Sequence, residues 1–174
     1  MEWGQQMSNH QTNMMDSTYQ NSNYSFEREN RKTLIIDSDA LGQSAKTFSK
    51  TLQEPFIIDK LSDVYLESFT TFNAEANTVT NRNGFILDID QFNIQNNTTN
   101  KHLFKKIYIP NEDGAGTSTV VHKSKKLNYI CSINPCKLRT LTTNLTILDG
   151  TTILAPDGGR YIAEFVIKPQ AIKL

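Results

Sequence analysis

Short runs of β-branched and aromatic residues, separated by turn-forming residues, fill the sequence from Thr33 to the C-terminus. Runs of this kind are typical of strands, and no long helical period interrupts them. A single short stretch, Ala40–Phe48, predicts a helix of one or two turns. Nine runs are predicted strands, one of which is an extension or a bent strand: Leu34–Asp37, Glu54–Ile58, Val64–Phe72, Gly84–Phe92, Phe104–Ile109, Thr117–His122, Leu127–Cys131, Leu138–Leu148 and Tyr161–Lys168.

Several runs alternate between apolar and polar residues, which places successive side chains on opposite faces of a sheet. In the fourth run the apolar face carries Phe85, Leu87 and Ile89, and the other face carries Asp88 and Asp90. The eighth run opposes Leu141, Leu145 and Ile147 to threonines and an asparagine. The last run is apolar on both faces, which predicts a central strand; these residues are Tyr161, Ile162, Ala163, Phe165, Val166 and Ile167.

The connections between the runs carry turn signals. Asn83-Gly84, Asp149-Gly150 and Asp157-Gly158-Gly159 supply positive φ values, and Pro110 and Pro169 end strands by removing a ladder donor. About eight antiparallel strands at this spacing predict an all-β fold, a single jelly-roll β-sandwich rather than a βαβ protein. A β-barrel is the structural alternative.

The N-terminal segment has a different composition. No Val, Ile or Leu occurs before Leu34, and Gln, Asn, Ser and Thr supply half of the first 30 positions. Such a segment buries too little aliphatic surface to fold alone. The sequence therefore predicts two parts, an extended polar N-terminal arm over residues 1–32 and a sandwich domain over residues 33–174.

Aromatic residues and methionines are spaced along this arm, and both kinds are enriched at protein contacts. We interpret the arm as a segment that becomes ordered on a neighbouring chain, although a floppy terminus is the alternative. The predicted partner-binding residues are Trp3, Met7, Met14, Met15, Tyr19, Tyr24 and Phe26.

Charge and composition exclude several classes of protein. The formal net charge is zero, which argues against general nucleic-acid binding, and no apolar run is long enough to cross a bilayer. Two cysteines cannot build a disulfide framework, so we expect a soluble chain that folds in a reducing compartment.

Residues that carry chemistry are scattered. No motif for phosphate binding, nucleophilic catalysis or zinc binding occurs, and His10, His102 and His122 stand alone. Cys131 and Cys136 are predicted to be structural thiols. Asp88 and Asp90 fit a solvated strand face better than a cation site or a glycosidase-like pair. The lysines of 105–106 and 123–126 lack interleaved aromatic residues. No catalytic residue, metal ligand or cofactor site is therefore predicted.

Four segments, Leu34–Ser38, Pro55–Ile58, Ser62–Asn73 and Leu141–Gly150, resemble the single jelly-roll capsid proteins of large icosahedral double-stranded DNA viruses. The resemblance extends from Leu34 to Lys168 and rests on strand and turn patterns. It implies a non-enzymatic structural protein of the virion, assembled in the host cytoplasm. Two roles are implied, a minor capsid protein that links capsomers of the major capsid protein, or a penton protein at the five-fold vertices. Its partners would be those capsomers, other minor capsid proteins and copies of itself, without a membrane span or specific nucleic acid.

Two other classes compete with this interpretation. A ligand-binding or carbohydrate-binding sandwich requires an exposed aromatic platform, for which Tyr65, Phe69 and Tyr108 are available, although the first two share a face of a core strand. A cupin-like or hydrolase enzyme requires His102 or His122 to meet Asp88 or Asp90 in one pocket.

Overall fold

A computed structural model describes residues 30–39, 47–72, 84–110, 123–124, 127–150 and 160–171. The chain divides into two units, Met1–Lys32 and Thr33–Leu174. The predicted strand Thr117–His122 and almost all of the predicted arm lie outside the described residues.

Every regular element in the described part of the chain is a strand. The strands are β1 Lys32–Asp37, β2 Thr47–Ile58, β3 Ser62–Phe72, β4 Gly84–Ile89, β5 Ile107–Pro110, β6 Lys123–Ser124, β7 Asn128–Ile133, β8 Cys136–Ile147 and β9 Arg160–Pro169. The all-β prediction is confirmed.

The helix predicted over Ala40–Phe48 is wrong at its C-terminal end, where Thr47 and Phe48 already belong to β2. The rest of that segment lies outside the described residues. Phe48 packs against the core, with its ring centroid 5.7 Å from that of Tyr161. Strand pairing and this ring contact decide the local structure, because propensity over a few residues is a weak determinant.

The strands form two antiparallel sheets that enclose one core. One sheet has the order β1-β9-β3-β6, with β7 also paired to β3, and the other has the order β2-β8-β4-β5. β7 lies opposite residues 62–66 of β3, and β6 lies opposite residues 69 and 70. Because β6 and β7 occupy successive parts of the same edge, each sheet is four strands wide in the described part of the chain. The sandwich is therefore confirmed, with β9 in the predicted central position.

The core is filled by the inward faces of both sheets. Along β9, Tyr161, Ala163, Phe165 and Ile167 are all buried, as their alternation predicts. The outward face of β9 is only partly covered, since Val166 is buried but Ile162 keeps 36% of its surface exposed. Each large apolar side chain in such a core stabilises the fold by roughly 1.5–3 kcal/mol.

A β-bulge in β3 changes which side chains reach the core. Leu66 pairs with Phe165 and Ser68 pairs with Glu164, so Glu67 has no opposite residue on β9. The extra residue reverses the alternation, and Phe69 is fully buried while Tyr65 lies on the outer face. The expectation that Tyr65 and Phe69 share a face is therefore wrong.

Turns shorten two of the predicted strands. β4 ends at Ile89 rather than Phe92, because the Phe92 N–H donates to the Ile89 carbonyl at 2.9 Å and closes a turn. β5 begins at Ile107 rather than Phe104, after a turn at residues 101–105. Asn96 holds that turn: its side-chain oxygen accepts from the Lys105 N–H, and its Nδ2 donates to the Lys106 carbonyl, both at 2.6 Å.

The turn after β8 requires glycine. Gly150 has a φ of +80°, which L side chains rarely adopt, and the imidazole of His102 occupies the space where a Cβ would lie. Asn100 Nδ2 donates to the Leu148 carbonyl at 2.9 Å, so the turn after β8 and the loop before β5 support each other.

Candidate functional site

A groove of about 330 Å³ opens along the side of the sandwich where β5 and β7 lie. β5 is the last strand of one sheet in the described part of the chain, and β7 is on the outer edge of the other. The apolar surface of the groove comes from Leu66, Ile94, Ile107 and Ile130. This volume is at the lower end of the range for pockets that bind small molecules.

Two exposed tyrosines line the groove, one from each sheet. Tyr108 on β5 keeps 44% of its surface exposed, and Tyr129 on β7 keeps 57%. The Tyr108 ring lies against the backbone of Gly84 on the neighbouring strand β4, where a Cβ would come within 2.6 Å of Tyr108 Cε2. The absence of a side chain at Gly84 therefore makes room for this ring.

The second ring, Tyr129, is held by hydrogen bonds and by ring contact. Its hydroxyl pairs with Ser132 Oγ at 3.0 Å, and Ser132 Oγ donates to the Asp63 carboxylate at 2.8 Å. The ring of Tyr65 meets Tyr129 edge-on, with centroids 5.8 Å apart, and Lys168 Nζ lies 5.4 Å from the Tyr65 centroid. Such contacts orient exposed aromatic rings before any ligand arrives.

Burial raises the pKa of Tyr65, and the neighbouring Asp63 carboxylate raises it further. This phenol therefore stays neutral at physiological pH. Tyr65 therefore meets the ring of Tyr129 as an uncharged phenol.

Polar groups line the remainder of the groove. Gln95 and Asn128 contribute amides, and Gln95 Nε2 donates to Asn93 Oδ1 at 2.6 Å. Of the described residues that line the groove, Lys106 contributes an ammonium group, and its Nζ lies 3.2 Å from Asp88 Oδ2. The positive charge is therefore compensated by a carboxylate on the adjacent strand.

The two aspartates singled out in the sequence do not form a pair on one strand. Asp88 lies on β4 and contacts Lys106, whereas Asp90 follows the end of the strand and is exposed in a turn. His102 packs beside Gly150, and His10 and His122 lie outside the described residues. Within the described ranges, no group of three or more His, Cys, Asp or Glu side chains is arranged to hold a metal ion.

Both cysteines are free thiols in different environments. Cys131 is buried in the core, and this burial raises its pKa to about 11, while Cys136 is half-buried. Cys131 thus fits the predicted structural thiol, and Cys136 does so only in part.

The seven predicted partner-binding residues of the arm all lie outside the described residues, so their role stays a prediction. They are Trp3, Met7, Met14, Met15, Tyr19, Tyr24 and Phe26.

Tyr129 was not among the sequence candidates, and strand periodicity gives no signal for it. A regular strand would place Tyr129 on the same face as Cys131, which is buried. The register between β3 and β7 shifts at Ile130, because Val64 pairs with Cys131 while Tyr65 pairs with Tyr129. This bulge turns Tyr129 outward, beside Tyr65.

Comparison of the chain with known protein families and with curated proteins gave no match. In the part of the chain that the structure describes, no helix is long and apolar enough to span a bilayer.

Proposed function

We propose that this protein is a structural component of an icosahedral virus particle, a single jelly-roll minor capsid protein that links capsomers of the major capsid protein. Its partners would be those capsomers, other minor capsid proteins and further copies of the chain. Its place would be the virion, after assembly in the host cytoplasm.

The observation that carries the proposal is the nesting of strand pairs. β1 is a neighbour of β9, β2 pairs with β8, β3 pairs with β7, and β4 pairs with β5. The first strand is therefore beside the last, and the second strand is beside the second-to-last. Such pairs arise when one long hairpin folds over to form two sheets. This nesting supports the proposed jelly roll, an architecture of viral capsid domains and also of lectins and cupins.

Fold alone does not choose among those classes, because one architecture hosts many functions. The resemblance of the strand and turn segments between Leu34 and Lys168 to single jelly-roll capsid proteins favours a shell component. The N-terminal composition agrees, since an arm with aromatic and methionine anchors and no aliphatic residues suits contacts with neighbouring subunits.

Deletion of Met1–Lys32 tests the proposal. The truncated chain is expected to keep its β-sheet circular dichroism and a cooperative thermal transition, because the core side chains lie in residues 34–167. The full chain and the truncated chain are each co-expressed with the major capsid protein of the same virus. The full chain should be present in the purified particles, and the truncated chain should be absent from them.

A matched pair of variants tests the aromatic anchors while the length of the arm stays the same. One replaces Trp3, Tyr19, Tyr24 and Phe26 with serine, and the other replaces Gln5, Gln6, Gln11 and Gln20 with serine. The first should be lost from particles and the second retained, because aromatic anchors dominate contact energies. Normal incorporation of the truncated chain would contradict the proposed role of the arm.

A further inference from the structure

We propose that the groove between β5 and β7 is a binding site for a neutral oligosaccharide. This inference does not depend on the proposed shell function, because it rests on the side chains that line the groove. It assigns a ligand class to a surface that a purely structural subunit does not need.

The first argument is that two exposed tyrosines line the same groove as polar amides. A sugar ring presents a C–H face that packs on aromatic rings and an edge of hydroxyl groups that both donate and accept hydrogen bonds. Tyr108 and Tyr129 supply exposed rings, and Gln95 and Asn128 supply amides, which also both donate and accept. An apolar ligand would leave those amides unpaired on binding.

The second argument is that both rings are held in place before binding. Gly84 makes room for Tyr108, and Tyr129 contacts both Ser132 and Tyr65. Fewer rotamers are then lost when a ligand binds, which favours affinity at a shallow site. Scattered surface tyrosines would not share this support.

The third argument is charge. Among the described residues that line the groove, Lys106 is the cation, and its Nζ already lies 3.2 Å from Asp88 Oδ2. Phosphate and carboxylate groups are held in proteins by charged donors that are available to them, often in pairs. A ligand without charge therefore matches this surface better than a nucleotide or an acidic sugar.

The test uses the full-length protein and a set of soluble ligands: maltotetraose, cellotetraose, N-acetylchitotetraose and the acidic comparator sialyllactose. Each is titrated to about 10 mM in ¹H–¹⁵N spectra, which detects dissociation constants near 1 mM. At least one neutral tetrasaccharide should shift the side-chain amide signals of Gln95 and Asn128, and more strongly than sialyllactose does.

Variants tie the binding to the groove. Tyr129→Ala and Tyr108→Ala should each weaken binding by about tenfold or more, as truncation of a central aromatic anchor does. Tyr129→Phe keeps the ring but loses the hydrogen bond to Ser132, so it should bind less tightly than the wild type and more tightly than Tyr129→Ala. Phe104→Ala is the matched control, because Phe104 is 49% exposed but does not line the groove. Circular dichroism confirms that each variant is folded.

Three results would overturn the inference: no neutral tetrasaccharide binds, the acidic sugar binds best, or binding survives both alanine variants. The shell proposal is judged separately by particle incorporation, so either can fail without the other.

Discussion

At the scale of single residues, one hydrogen bond ties the two sheets together inside the core. Thr143 on β8 and Tyr161 on β9 belong to different sheets, and their hydroxyls lie 2.6 Å apart with both side chains buried. Thr143→Val leaves the Tyr161 hydroxyl buried without this partner, so we expect the free energy of unfolding to fall by about 1–3 kcal/mol. Urea denaturation measures this loss.

The double variant is the control for that bond. Tyr161→Phe removes the other hydroxyl, and Thr143→Val with Tyr161→Phe replaces both partners by apolar groups of similar shape. The double variant should lose less stability than the sum of the two single variants, because no polar group is then left unpaired. Strict additivity would show that the hydroxyls do not interact.

At the scale of elements, the bulge at Glu67 sets the register of β3. Leu66 and Phe69 both face the core only because one extra residue lies between the pairs Leu66–Phe165 and Ser68–Glu164. Deletion of Glu67 makes Ser68 follow Leu66 directly, which removes the bulge and leaves the pairs with β9 in one continuous register. Phe69 then lies two positions after Leu66, so it stays on the core face. We therefore expect the deletion variant to keep its cooperative thermal transition.

Glu67→Ala separates the side chain from the residue count. It keeps the bulge, so it should change the free energy of unfolding by no more than about 1 kcal/mol. Loss of the cooperative transition in the deletion variant alone would contradict this expectation and show that β3 needs the extra residue itself.

At the scale of the whole molecule, the buried thiol makes the domain sensitive to alkaline pH. An unfolded cysteine loses its proton near pH 9, whereas in the folded protein burial raises the pKa of Cys131 to about 11. Between these values the unfolded state binds fewer protons, so stability falls as pH rises, by about 1.4 kcal/mol per pH unit. Below pH 9 the Cys131 thiol is protonated in both states, so its full contribution to the free energy of unfolding is present. Burial also raises the pKa of Tyr161, which adds to the loss above pH 10.

Cys131→Ala should therefore flatten the decline between about pH 9 and pH 11, although the cavity it creates lowers stability at pH 7. Urea denaturation at a series of pH values measures the slope. Cys136→Ala should flatten it less, because that thiol is only half-buried. An unchanged slope in Cys131→Ala would mean that this thiol does not control the alkaline limb.

The sequence by itself determined the fold class and the inward faces of the regular strands. Alternation in residues 85–89 and 161–167 is a local signal, so the burial of Phe85, Leu87 and Ile89 and the central place of β9 followed without a structure. It also indicated that candidate catalytic groups are scattered along the chain. The first half of β2 was not predicted as a strand, because its pairing partner β8 lies far away in the sequence.

Only the tertiary structure decided the candidate site. The bulge at Glu67 is defined by pairing with β9, and the bulge at Ile130 by pairing with β3. Each reverses the alternation of inward and outward side chains, which the sequence pattern predicts to continue. As a result Tyr65 and Tyr129 meet on the outer face, and Tyr129 shares a groove with Tyr108 from the other sheet. Periodicity within one strand contains no information about which edge strands face each other, and that juxtaposition creates the groove.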